Sequence, residues 1–286
     1  MTTRINITLF QPDHPRFTVM QAYQEVIDSL VWGFQSLGYP VTTLRNAVDG
    51  RAVNIVFGWM PAFAMGGMPE FPPNTILYNL EQVSVGSMKG SKVLEAAAAG
   101  FQIWDYSAAN VRNWRQLNPR LPVYYAPVSY APTLDRVPQR EEEIDLLYIG
   151  SLGPKRSEKL IQMQHERNNV SMVTLANVWG RQRDEFIGRA KILLNVSNEN
   201  PRFKVFEVAR VSYYLANNKA VLCELLPDQD IEPDLQRVLR FAPAAELGDA
   251  ADMLLADPQL RHRYAQECGE VFRQRDVRQV IRQFFG

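Results

Sequence analysis

The feature that most constrains this chain is an alternation. Short runs of branched, aliphatic and aromatic residues take turns with longer stretches whose apolar residues recur at helical spacing. "INITLF" (5–10) reads as a strand and breaks at a Pro-Asp-His-Pro turn. "VMQAYQEVIDSLVWGFQSLG" has helical spacing and stops at Gly38. "VTTL", "VNIVFGW" and "TILYNLE" follow as strands, "KVLEAAAA" as a helix ending at Gly100, and "FQIWDYS" as a strand handing over to a helix capped by Ser107. "VYYAPV" closes this half. The rhythm then restarts. "IDLLYIGS", "VSMVTLA", "KILLNVS" and "KAVLCE" are strands, separated by helical "KRSEKLIQMQHER", "RDEFIGRA" and "FKVFEVARVSYYLANN". "AAELGDAADMLLA" and the stretch from Pro258 to Phe285 are helical. Strands alternating with helices imply parallel sheets covered by helices. Between the halves, "APTLDRVPQREEEID" (131–145) has the composition of a linker. The expected architecture is α/β, two Rossmann-like domains facing a cleft, spanning residues 1–135 and 136–286. Ligands of such sheets bind at the carboxyl ends of the strands.

Composition narrows the function classes. At 286 residues with zero formal net charge, the chain has no dominant attraction to duplex DNA or an anionic membrane. Its two cysteines, Cys223 and Cys268, make neither a disulfide framework nor a metal-ligand spacing. Cys223 lies in an apolar run and reads as a buried thiol. The N-terminal apolar run is too short for a signal peptide, and no stretch approaches the roughly 18 apolar residues of a membrane helix. A soluble, reducing, cytoplasmic setting is the expectation.

The candidate site centres on "LLNVSNENPRFKVFEVARVSYYLANNKAVLCE" (193–224). A strand ending near Ser197 and a helix starting near Phe203 would put unpaired helix amides at the sheet's carboxyl edge, an anion site. Arg202 and Lys204 add positive charge there. Glu207, about one turn on, suits hydrogen bonds from sugar hydroxyls, as the ribose-binding acid of a dinucleotide fold does. Glu199, on the loop, would meet a second sugar. A first-turn glutamate is also favoured by the helix dipole alone.

The segment "ENPRFKVFE" resembles the Glu-x7-Glu pattern of retaining glycosyltransferases with the GT-B fold. The following "ARVSYYLANNKAVLCE" is similar to that family's helix and "A-x-G-x-P-V-V" strand, with Asn218 where glycine is usual and Ala220 in place of proline. "LLYIGSLGPKR" (146–156) resembles its strand, Gly, short loop, Lys element, and "RDEFIGRAKILLNVS" the helix and strand before the glutamate loop. The likeness covers the C-terminal half and is nearest to the spore-maturation-like group. It implies that Glu207 binds the nucleotide ribose and Glu199 the transferred sugar. It also implies that Lys155, or Arg156 in its place, holds the diphosphate beside Gly150 and Ser151, with Asn200, Arg202, Phe203 and Lys204 completing the donor loop. Pro201, Arg202 and Phe203 replace the loop's usual glycines, and Arg202 can compensate as a side-chain donor. Trp179 is a candidate for stacking on the base, with packing as the alternative.

In the first half, "QPDHPRF" offers His14 and Asp13 as general bases toward an acceptor hydroxyl, and Glu81 ends a strand where it can do the same. A proline-rich turn is the alternative for that loop. Asp228-x-Asp230 reads as a solvated turn rather than a metal site, so no metal and no cofactor is expected beyond a nucleotide-diphosphate sugar as co-substrate. The acceptor class stays open among a glycan, a lipid-linked glycan, a protein, a small molecule and a modified nucleic-acid base. A nucleotide-sugar epimerase or hydrolase, or a non-catalytic nucleotide-sugar binding protein, is the alternative function.

Overall fold

The computed structural model describes residues 3–11, 20–64, 70–198 and 205–286. The chain divides into two compact units, Met1–Ala131 with Asp276–Gly286, and Pro132–Arg275.

The first unit holds strands β1 (Ile5–Leu9), β2 (Val41–Arg45), β3 (Val53–Phe57), β4 (Thr75–Asn79), β5 (Gln102–Asp105) and β6 (Val123–Tyr125). They form one sheet in the order β2-β1-β3-β4-β5-β6, every pair parallel. The strands β1 and β4 are buried along their whole length, so the polar residues that alternate in β1, Asn6 and Thr8, are covered along with its apolar ones. Its helices are α1 (Gln24–Ser36), α2 (Trp59–Ala64), α3 (Val85–Met88), α4 (Lys92–Ala97) and α5 (Ala108–Leu117). Gly38 follows α1 at φ 84°, the left-handed conformation expected of a helix stop. Ser107 caps α5 by accepting from the Asn110 amide at 3.3 Å. An apolar cluster including Trp59, Leu77, Val93, Ile103 and Trp114 joins α2, α4 and α5 to the sheet.

The second unit holds β7 (Ile144–Ile149), β8 (Met172–Leu175), β9 (Ala190–Asn195), β10 (Ala220–Glu224) and β11 (Arg240–Ala242), in the order β11-β10-β9-β7-β8, again all parallel. Its helices are α6 (Pro154–Glu166), α7 (Gly180–Arg189), α8 (Val208–Ala216), α9 (Pro233–Val238), α10 (Leu247–Ala256) and α11 (Pro258–Arg273). Cys223 and Cys268 are both buried and free. Helical spacing from Phe203 onward suggested an earlier start for α8. Instead Val205 pairs with Asp230 in an isolated parallel bridge, and the Phe206 amide donates to the Asp230 carbonyl at 3.1 Å. These ties hold 205–206 extended, and the helix begins at Val208.

The final helical stretch is two helices. After α11 the chain turns at Asp276, where the Val277 amide donates to Tyr130 at 3.0 Å, and α12 (Val277–Phe285) returns to the first unit against α1. Among the described residues no helix is long and apolar enough to cross a membrane.

Candidate functional site

Strand order sets the location. In the second unit, β7 lies beside β9, while β8 lies outside β7 and β10 outside β9. The chain therefore leaves this neighbouring pair in opposite directions, and the carboxyl ends of β7 and β9 flank a topological switch point, where open α/β sheets bind ligands. Arg156, in the first turn of α6, spans that point. Its Nε donates to the Val196 carbonyl at 2.7 Å, just past β9. Its Nη1 donates to the Ser151 carbonyl at 2.7 Å and hydroxyl at 3.0 Å, just past β7. The side chain is 4% exposed, and the remaining Nη2 faces a Glu207 oxygen at 3.6 Å.

Glu207 directly precedes α8 and lies 2.7 Å from Nη2 of Arg210, one turn on. Arg210 also donates to Asn195 Oδ1 at 3.1 Å. Both guanidiniums lie over the Tyr148 ring, at 5.5 and 5.6 Å. Burial lowers the Arg156 pKa; burial pulls Arg210 down as well, but Glu207 together with Tyr148 and its other neighbours outweighs it and raises that pKa. Both stay charged, since an arginine titrates above about 12. On β10, buried Glu224 pairs with Lys159 and accepts the Ser197 amide at 2.7 Å, while Lys159 reaches the Ser197 carbonyl at 3.4 Å. The loop leaving β9 is thus held at both backbone atoms. Arg156, Lys159 and Arg210 stand against Glu207 and Glu224, which leaves this edge net positive among the described residues.

The sequence-derived candidates distribute unevenly. Gly150, Ser151, Arg156 and Glu207 come together here. Lys155 does not join them: its side chain is 62% exposed and pairs with Glu158 at 3.9 Å. Trp179 is half-buried just before α7, its indole N–H buried without a hydrogen-bond partner. Asp13, His14, Glu199, Asn200, Arg202, Phe203 and Lys204 lie outside the described residues. Asp228 adopts φ 55° in its turn, and among the described residues no group of three or more His, Cys, Asp or Glu side chains is placed to hold a metal. Sequence reasoning passed over Lys159, Arg210 and Glu224. The available signal was spacing: Lys159 follows Arg156, and Arg210 follows Glu207, by one helical turn.

In the first unit, Glu81 follows β4 and is clamped by buried neighbours. Its amide donates to Asn79 Oδ1 at 2.9 Å, and its carbonyl accepts from Asn79 and Asn110 at 2.8 and 2.9 Å. Its carboxylate accepts from Tyr23. Burial, then Glu81, push the Tyr23 phenol well above its ordinary pKa, so it stays a donor. Beneath lies Asp105 at the end of β5, fully buried. It accepts from Asn79 (2.7 Å), Trp114 (2.9 Å), the Ser107 amide (2.9 Å) and Asn110 (3.0 Å). Burial pushes the Asp105 carboxyl up to about 7, against the pull of these four donors.

The whole chain superposes on known glycosyltransferase structures. Anabaena HepE, in a complex with UDP and glucose, matches at a TM-score of 0.62 and 11% identity over 98% of each chain. WaaG, a glycosyltransferase involved in lipopolysaccharide biosynthesis, matches at 0.60 and 9% identity over 98% of each chain. Sucrose-phosphate synthase from Thermosynechococcus elongatus matches at 0.59 and 11% identity over 99% of each. The chain therefore has the GT-B fold, two parallel α/β sheet units of the glycosyltransferase type. By sequence, it is 25% identical over 189 residues to an uncharacterized protein of Acanthamoeba polyphaga mimivirus. That alignment takes in 64% of this chain and 60% of the relative's length. No protein-family model matches the chain.

Proposed function

We propose that this chain is a glycosyltransferase that moves a sugar from a nucleoside diphosphate to an acceptor hydroxyl, with retention and without an essential metal or cofactor. The carrying observation is Arg156, buried across the β7–β9 switch point with its Nη2 facing Glu207 at 3.6 Å. The second unit is the donor unit. Arg156, rather than exposed Lys155, meets the diphosphate, with Arg202 and Lys204 supplying further charge. Glu207 accepts from the ribose, Glu199 and Asn200 meet the sugar, and Trp179 lies toward the base. The first unit takes the acceptor, with Glu81, His14 or Asp13 receiving its proton. The acceptor oxygen bonds to the anomeric carbon on the same face from which the diphosphate departs, as that carbon's bond to the diphosphate oxygen breaks, and the diphosphate leaves with the bonding pair. HepE holds UDP and glucose on the same fold, which supports a nucleotide sugar as the partner.

The test is incubation with UDP-glucose, UDP-N-acetylglucosamine, GDP-mannose and ADP-glucose, with and without EDTA, reading diphosphate release. Release from one donor that persists in EDTA is expected. A donor that binds but never releases its diphosphate, with water or any acceptor of a glycan panel, would identify a binding protein. The anomeric proton coupling of the product reads retention directly.

A further inference from the structure

Glu207 occupies the position before α8, yet its carboxylate makes no hydrogen bond to the helix's own amides. It is held instead by Arg210, 2.7 Å away. Arg210 is itself fixed from the sheet: Asn195 at the end of β9 accepts from it, and Tyr148 of β7 lies under it. Arg156 is no substitute. Its contact with Glu207 is 3.6 Å, beyond hydrogen-bond length, and its Nε and Nη1 are spent on strand-end carbonyls. The Glu207 side chain keeps 35% of its surface exposed, so the carboxylate is anchored while part of it stays open to solvent.

We propose that Arg210 is a positioning residue that orients Glu207 toward the two hydroxyls of a ribose. It thereby makes the site prefer ribonucleoside over 2′-deoxyribonucleoside diphosphates. This rests on the donor-site reading above. A carboxylate accepts from both hydroxyls only when its plane is fixed. Without Arg210 the Glu207 carboxylate loses the 2.7 Å contact that fixes its plane, and the 3.6 Å contact with Arg156 does not replace it. The planar guanidinium reaches Asn195 and Glu207 through different nitrogens, a fork that lysine cannot reproduce.

The experiment is calorimetric titration of UDP, GDP and ADP and their 2′-deoxy forms into the wild type, Arg210→Met, Arg210→Lys and Glu207→Gln. The wild type should favour the ribose form of its best ligand by about ten-fold. Arg210→Met should bring that preference within about two-fold while changing affinity for the deoxy ligand by less than about three-fold. Arg210→Lys should fall between, and it carries the test if Arg210→Met does not fold. If Glu207→Gln loses the preference and the Arg210 variants keep it, this inference is overturned alone. If Glu207→Gln also keeps it, the ribose role of Glu207 falls and the inference with it. Wild-type protein that binds none of the six overturns the donor site itself.

Discussion

Lys155 and Arg156 are neighbours in sequence, but α6 turns them roughly 100° apart. One side chain goes to solvent beside Glu158, and the other is buried across the ends of β7 and β9. Lys155→Ala should therefore leave nucleoside diphosphate affinity within about three-fold, whereas Arg156→Ala should cost about ten-fold or more. Arg156→Ala also strips donors from two carbonyls, for a stability loss of about 1–3 kcal/mol, so affinity must be read on protein shown to be folded. Asp105 supports a second prediction. Its folded pKa of about 7 lies above the ordinary value near 3.9, so between those limits the folded state holds a proton that the unfolded state has lost. Its stabilising contribution is full below about pH 4 and falls as pH rises through about 7, by roughly 1.4 kcal/mol per pH unit. Denaturant unfolding at pH 5 and pH 8 measures this. Asp105→Asn should abolish that slope and lower stability by about 1–3 kcal/mol at pH 5, since either amide orientation sets an NH2 against two donors, and the gap should close toward pH 8 as the wild type loses its own contribution.

At the scale of elements, α1 and α12 meet at Gly33. A Cβ there would lie 2.6 Å from Ile281 Cδ1 and 2.8 Å from Val277 Cγ1, so glycine is what lets the two helices approach. Phe285 adds edge contacts to Phe34 and Tyr39, and Phe284 packs on Trp104 of β5 at 4.4 Å. Gly33→Ala should destabilise by about 1–3 kcal/mol through overpacking. Adding Ile281→Val, which deletes the nearest atom, should recover part of that loss. Equal melting temperatures for the single and double variants would show that the helices simply move apart.

On the scale of the whole molecule, the proline- and charge-rich segment between the halves is not a slack tether. The Arg136 and Val137 amides both donate to Asn217 Oδ1, at 2.9 and 2.8 Å, and Asn217 Nδ2 returns a bond to the Leu134 carbonyl at 2.9 Å. Arg140 pairs with Glu185, Glu142 with Lys219, and Glu143 with Arg189. The segment is strapped along the second unit. Trypsin should cut slowly after Arg136 in native protein, and Asn217→Ala should accelerate that cut, roughly ten-fold for each 1.4 kcal/mol removed from local opening. Unchanged cleavage would mean that the ion pairs alone hold the strap.

Residue order alone specified where strands and helices alternate, because side-chain period is a local property. Gly38 as a stop and Ser107 as a cap were legible for the same reason: each acts on amides or carbonyls within a turn of itself. Glu207 stood out by its spacing from Glu199. What local pattern does not encode is which strand lies beside which. Only the order β11-β10-β9-β7-β8 brings Ser151 and Val196 to one guanidinium, and Glu224 to Ser197. The same holds for the start of α8, where a bridge to Asp230 overrides helical spacing, and for the strap, whose composition reads only as a linker until its partners are in place. Those partners lie tens of residues away along the chain. Their meeting is set by sheet topology and burial, and that is why the candidate site took its shape in three dimensions.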